Sequence, residues 1–254
     1  MTSERASDRS FFTISALLFV ACAAATIFWS RSMSTMKATP MDGMAMAGTS
    51  MPGQTWLVAA ASFLAMWIVM MVTMMTPSLI PMLRRYRQAV AGVGEVRLGW
   101  LTALVALAYF AVRTLIGLAA YLLGVAITGV ETQQPALTRL VPIAVGMIVL
   151  IAGALQFTGW KAHHLACCRE MPLGGAILPT DAGVALRHGL RIGFHCLCCS
   201  AGLMAILLVV GVMDLRVMAV LAAAITIERL VPDGEGVARA IGVVVVVAGL
   251  FLIA

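Results

Sequence analysis

Apolar runs, each about as long as a bilayer is thick, follow one another from Phe11 to the C-terminus and leave few folds open to this chain. A chain of 254 residues that is 62% hydrophobic and 11% charged has too much apolar surface for a soluble core of that size. In hydrocarbon every backbone polar group must be satisfied internally, so the runs are read as helices. The sequence predicts an all-α, polytopic transmembrane helical bundle of about seven spans. They cover about Phe11–Trp29, Thr55–Thr76, Trp100–Thr128, Ala136–Phe157, His188–Met213, Val217–Leu230 and Ala238–Ala254. Residues 1–30 then form an N-terminal transmembrane anchor, residues 31–54 a Met-rich extracytoplasmic loop, and residues 55–254 a six-span bundle. The anchor is read as uncleaved, because its apolar run exceeds a usual signal-peptide core and no clear cleavage triplet ends it.

The formal charge of +6 and pI near 9.3 would suggest a nucleic-acid partner in a soluble protein. Here the basic residues sit in short links between apolar runs, where they act as topology signals and contacts to the lipid bilayer, so no nucleic acid is expected. With a cytoplasmic N-terminus, the inner segments hold Arg5, Arg9, Arg84, Arg85, Arg87, Arg97, Lys161, Arg169, Arg187, Arg191, Arg229 and Arg239. The outer segments hold Arg31, Lys37, Arg139 and Arg216, and this asymmetry sets the orientation. Pro77 and Pro81 are expected to break the second helix at its exit. Arg113 lies deep in the third run and needs a partner, with Glu228 the first candidate and Glu131 the second.

Soft metal ligands are concentrated in one stretch. Between Gln156 and Gly202 lie five of the six cysteines and His163, His164 and His195. Residues four apart share a helix face, so His163 sits over Cys167, His164 over Cys168, and His195 over Cys199. Two helix ends that each present an imidazole and a thiol one turn apart suit zinc or monovalent copper. The preferred ligands are His163, Cys167, His195 and Cys199, with His164, Cys168, Cys196 and Cys198 as a second set. Lys161, Arg169 and Arg191 lie close in sequence and would favour thiolates. Cys22, alone in the first run, is assigned to packing.

Methionine adds a second soft-ligand feature. Met33, Met36, Met41, Met44, Met46 and Met51 crowd a polar segment that helix packing does not explain. In the second run Met66, Met70 and Met74 recur every four residues, as do Met71 and Met75. Thioethers bind monovalent copper without deprotonation, so an outer capture segment and a Met70/Met74 conduit are expected. Flexible core packing is the plainer reading of the same stripes.

Copper, with zinc as second choice, in transport, delivery or homeostasis is the function these features favour. A metallochaperone or partner membrane subunit would complete the pathway. A membrane-bound metal-dependent oxidoreductase, or a thiol redox protein using adjacent cysteines, is the alternative; the strained ring of an adjacent-cysteine disulfide weakens the latter.

Several blocks carry a resemblance. They are Met74-Met75-Thr76-Pro77 with Pro81-Met82, Gln156-Phe157-Thr158-Gly159-Trp160-Lys161, Cys167-Cys168-Arg169, and Gly189-Leu190-Arg191-Ile192-Gly193 before His195-Cys196-Leu197-Cys198-Cys199. From roughly Met66 to the C-terminus the chain resembles a bacterial family of predicted metal-binding integral membrane proteins of unknown function. That resemblance implies a multi-pass protein of the bacterial inner membrane and a metal site, without naming metal or reaction.

Overall fold

The apolar runs fold as helices. A computed structural model describes residues 2–34, 56–90, 92–133, 141–170, 178–211 and 214–253, and these hold eight α-helices and no strand. They are α1 (Thr2–Ser34), α2 (Trp56–Ala89), α3 (Glu95–Gln133), α4 (Val141–Leu155), α5 (Gly159–Glu170), α6 (Ala182–Val210), α7 (Leu215–Leu230) and α8 (Gly234–Ile253). Of the Met-rich loop, residues 35–54 lie outside the described residues, whereas residues 31–34 extend α1.

Five helices are long and apolar enough to cross a membrane, in α1, α2, α3, α6 and α8, or six if α4 and α5 together make one bent span. The expected count of seven is therefore too high, for two reasons. Helix α7 has 16 residues, about 24 Å at 1.5 Å per residue, short of a hydrocarbon core about 30 Å thick. The fourth run breaks after Leu155, and α5 leaves at 63° to α4. Thr158 starts the new helix, its carbonyl accepting from the Ala162 N–H and its hydroxyl from the Lys161 N–H at 3.4 Å.

Helix α2 runs through Pro77 and Pro81 instead of ending there. The hydroxyls of Thr73, Thr76 and Ser78 donate back to the carbonyls of Val69, Val72 and Met75. These bonds leave the Thr73 and Pro77 carbonyls, which lose their i+4 donors to Pro77 and Pro81, unaddressed; the helix is carried past the prolines by its packing on α1, α3 and α7.

Helix α6 is the hub, packed on α3, α4, α5 and α7. Asp181 caps its start by accepting from the Gly183 N–H at 2.9 Å. Two glycines one turn apart let α3 approach closely. A Cβ on Gly189 would lie 2.4 Å from the Val105 carbonyl oxygen, and one on Gly193 3.2 Å from that of Tyr109. The same register carries Tyr109 and Arg113 up to Cys196. Helix α1 packs on α2, but its apolar stretch is not buried in the bundle.

Candidate metal centre

Helix α5 carries the doubled His163-His164 and Cys167-Cys168, and the helical turn stacks each histidine over its cysteine as predicted. Neighbouring residues point about 100° apart on a helix, so the two stacks face different ways. His163 is exposed and Cys167 half-buried, with Nε2 and Sγ 3.7 Å apart. His164 and Cys168 are buried and face α6. His164 Nδ1 lies 2.8 Å from His195 Nδ1, and Cys168 Sγ lies 3.9 Å from Cys199 Sγ. The contacts form two rungs in register, 164 with 195 and 168 with 199, one turn apart on both helices.

The preferred set of His163, Cys167, His195 and Cys199 is thus not the one that faces across the helices. The inner members of the doubled pairs, His164 and Cys168, meet His195 and Cys199. All six cysteines are free thiols. Among the described residues no three or more His, Cys, Asp or Glu side chains are grouped to hold a metal together. The donors meet as pairs. Trp160 closes one side of His164, its ring edge-on with centroids 4.8 Å apart.

Cys196 faces elsewhere. Its sulfur lies 2.7 Å from the Tyr109 hydroxyl and accepts from Arg113 Nη2 at 2.5 Å and Arg229 Nη2 at 2.8 Å. The same Arg229 nitrogen donates to Cys199 Sγ at 3.3 Å, so this pocket touches the sulfur rung. Arg113 also donates to Ser200 Oγ at 3.0 Å, and Arg229 Nη1 to Ser78 Oγ at 3.1 Å. Cys198 is buried without a hydrogen bond to another thiol or imidazole among the described residues. Met70 and Met74 are buried in the core, where thioethers pack flexibly. The methionine that reaches the pocket is Met75, with Sδ 3.7 Å from Arg113 Nη2.

The expected Arg113–Glu228 ion pair is absent, and the side chain of Glu131, the second candidate, lies outside the described residues. Glu228 pairs with Lys161 at 2.8 Å inside the bundle, and Lys161 also donates to Gln156 Oε1. That pair ties α5 to α7 and removes Lys161 from the thiols. Arg169 donates to the Pro232 carbonyl at 2.7 Å, and Arg191 is exposed. The cations that touch sulfur are Arg113 and Arg229. The sequence reading counts Arg229 only among topology charges, and the signal for a buried role is the charged pair Glu228-Arg229 at the end of an apolar run.

Residues 64–252 match the PpoB2 family, described as copper chaperone. This chain belongs to the PpoB2 copper chaperone family. The match sharpens the resemblance to a metal-binding family by naming copper. No curated protein and no solved structure matches the chain. In this PpoB2 member the matched stretch takes in every His and Cys of the α5–α6 rungs, the Cys196 pocket, Met70 and Met74. It leaves out α1 with Cys22, and the Met-rich loop.

Proposed function

We propose that this chain is a multi-pass protein of the bacterial inner membrane, N-terminus cytoplasmic, that holds monovalent copper between Cys168 and Cys199 and passes it to a partner protein. The sulfur separation carries the reading. Where a third donor completes the metal's shell, a metal–thiolate bond of about 2.3 Å and an angle of about 110–120° at the metal put two sulfurs about 3.8–4.0 Å apart. The thiols of Cys168 and Cys199 stand at 3.9 Å, so a soft ion enters with little movement of either helix. Membership of a copper chaperone family supports copper over zinc.

A route follows from burial. The sulfur rung is buried, the His164–His195 rung lies one turn away, and His163 with Cys167 faces outward. Ligands exchanged one at a time along this order move copper toward a partner without releasing it to water. The methionines of residues 31–54 and the α2 stripe of Met70, Met74 and Met75 are the capture side of the same route. The membrane reading is supported by the five long apolar helices and by exposed large side chains such as Leu17, Phe28, Leu107, Leu115, Val244 and Phe251.

The test is anaerobic copper loading of the full chain purified in detergent, with zinc in parallel. One tightly held copper per chain is expected, retained in Cys22→Ser and lost in Cys168→Ser and Cys199→Ser. Copper content unchanged in both latter variants rejects the site.

A further inference from the structure

The pocket beside the sulfur rung holds two guanidinium groups almost wholly out of solvent, Arg113 at 2% and Arg229 at 7% exposure. Neither makes an ion pair with a carboxylate among the described residues, and Glu228, next to Arg229 in sequence, is taken by Lys161. The Nε of both lacks a hydrogen-bond partner. A buried charge without a counter-charge is costly, and two of like sign in one pocket cost more. Around them stand sulfurs: Cys196 against both, Cys199 against Arg229, and Cys168 facing Cys199. Two buried cations would repel an incoming metal ion unless they answer a negative charge that the loaded site itself carries.

We propose that Arg113 and Arg229 are the counter-charges of the copper–thiolate site and set its preference for a monovalent over a divalent ion. The inference rests on the copper reading above. Thiolate is the metal-binding form of cysteine. Copper(I) between the thiolates of Cys168 and Cys199 leaves one net negative charge beside the two guanidiniums. A divalent ion in the same place leaves none, so the two buried cations face a neutral complex and favour the monovalent ion. Cys196 enters only as a sulfur held by Tyr109, Arg113 and Arg229. Lys161 and Glu228 cancel each other and leave the count unchanged.

The experiment measures the affinity of the detergent-purified full chain for copper(I) and zinc(II), each against a competing chelator, and reads their ratio. Arg229→Gln and Arg113→Gln each remove one charge and are expected to shift the ratio toward zinc by about tenfold or more, whereas Arg229→Lys keeps the charge and most of the preference. Ser200→Asp supplies a second route if the glutamine variants do not fold. It sets a carboxylate against Arg113, keeps both arginines, and is expected to shift the ratio in the same direction. A ratio within twofold of wild type in the folded neutralising variants, with copper still lost on Cys168→Ser, overturns this inference and leaves the copper reading standing. Copper bound equally by wild type and by Cys168→Ser overturns both.

Discussion

The two faces of α5 carry the same residues and meet different surroundings. On one, His163 and Cys167 contact each other at 3.7 Å and look outward. On the other, His164 and Cys168 are buried and reach across to His195 and Cys199. A doubled His-His and Cys-Cys therefore places one His/Cys pair on each of two faces, since a one-residue step turns the side chain about 100° around the helix. On the copper reading proposed above, the inner pair, with partners from a second helix, is the holding station, and the outer pair, from a single helix, is the exchange station.

The largest expected effect comes from breaking the inner face. Replacing one sulfur of a two-sulfur site by a hydroxyl of similar size removes the soft donor and leaves the packing almost unchanged. Cys168→Ser and Cys199→Ser are each expected to weaken copper(I) binding at least a hundredfold, whereas His164→Ala and His195→Ala, one turn off the sulfurs, are expected to weaken it about 10- to 100-fold. Chelator competition on the purified variants measures both. Equal losses from Cys167→Ser and Cys168→Ser would erase the distinction between the two faces.

Most of the bundle, and the gathering of histidines and cysteines on two neighbouring helices, could be read from the sequence; which face of α5 turns to α6 could not. Apolar runs of bilayer length identify helices because nothing else satisfies their backbone, and α1, α2, α3, α6 and α8 lie where those runs predict. Helical periodicity stacked each histidine on its cysteine, but it is silent about which stack meets another helix. That is decided by the break at Gln156–Thr158, which swings α5 through 63° and turns His164 and Cys168 toward α6. The same limit explains Arg113. An intramembrane cation signals that it needs a partner, and a carboxylate is the usual one, yet the Gly189 and Gly193 approach of α3 to α6 delivers it to the Cys196 sulfur.

The pose of α5 is held from the other side by Lys161 and Glu228, both buried, so the pair is a way to disturb both faces at once. Removing one partner of a buried ion pair leaves an uncompensated charge and costs on the order of 3–5 kcal/mol, while removing both costs far less. Glu228→Gln is therefore expected to lower thermal stability in detergent sharply, and Lys161→Met combined with Glu228→Gln to recover most of it. Equal destabilisation in the single and double variants would show that this pair does not fix α5.

The outer face yields a smaller and more selective effect. His163→Ala and Cys167→Ser leave both rungs intact, so equilibrium copper content is expected to stay at the wild-type value. Transfer to a soluble copper(I) acceptor, followed by rapid mixing, is expected to slow by about tenfold, because ligand exchange at soft sites proceeds through an intermediate donor. Unchanged transfer with unchanged content would make the outer pair ordinary surface.

The smallest expected effect belongs to Met70 and Met74. Both are buried in the core, and a methionine to leucine change nearly conserves volume, so each is expected to cost under about 1.5 kcal/mol of stability. Copper at the sulfur rung should be unaffected at equilibrium, since the rung's donors are the sulfurs of Cys168 and Cys199. The two roles separate in uptake. A conduit predicts that Met70→Leu with Met74→Leu slows copper loading from the Met-rich side in reconstituted vesicles, while packing alone predicts no change. Met75→Leu calibrates the comparison, because its sulfur stands 3.7 Å from Arg113 beside Cys196. If Met75→Leu slows loading and the double variant does not, the conduit narrows from a stripe along α2 to a single thioether at the mouth of the arginine pocket.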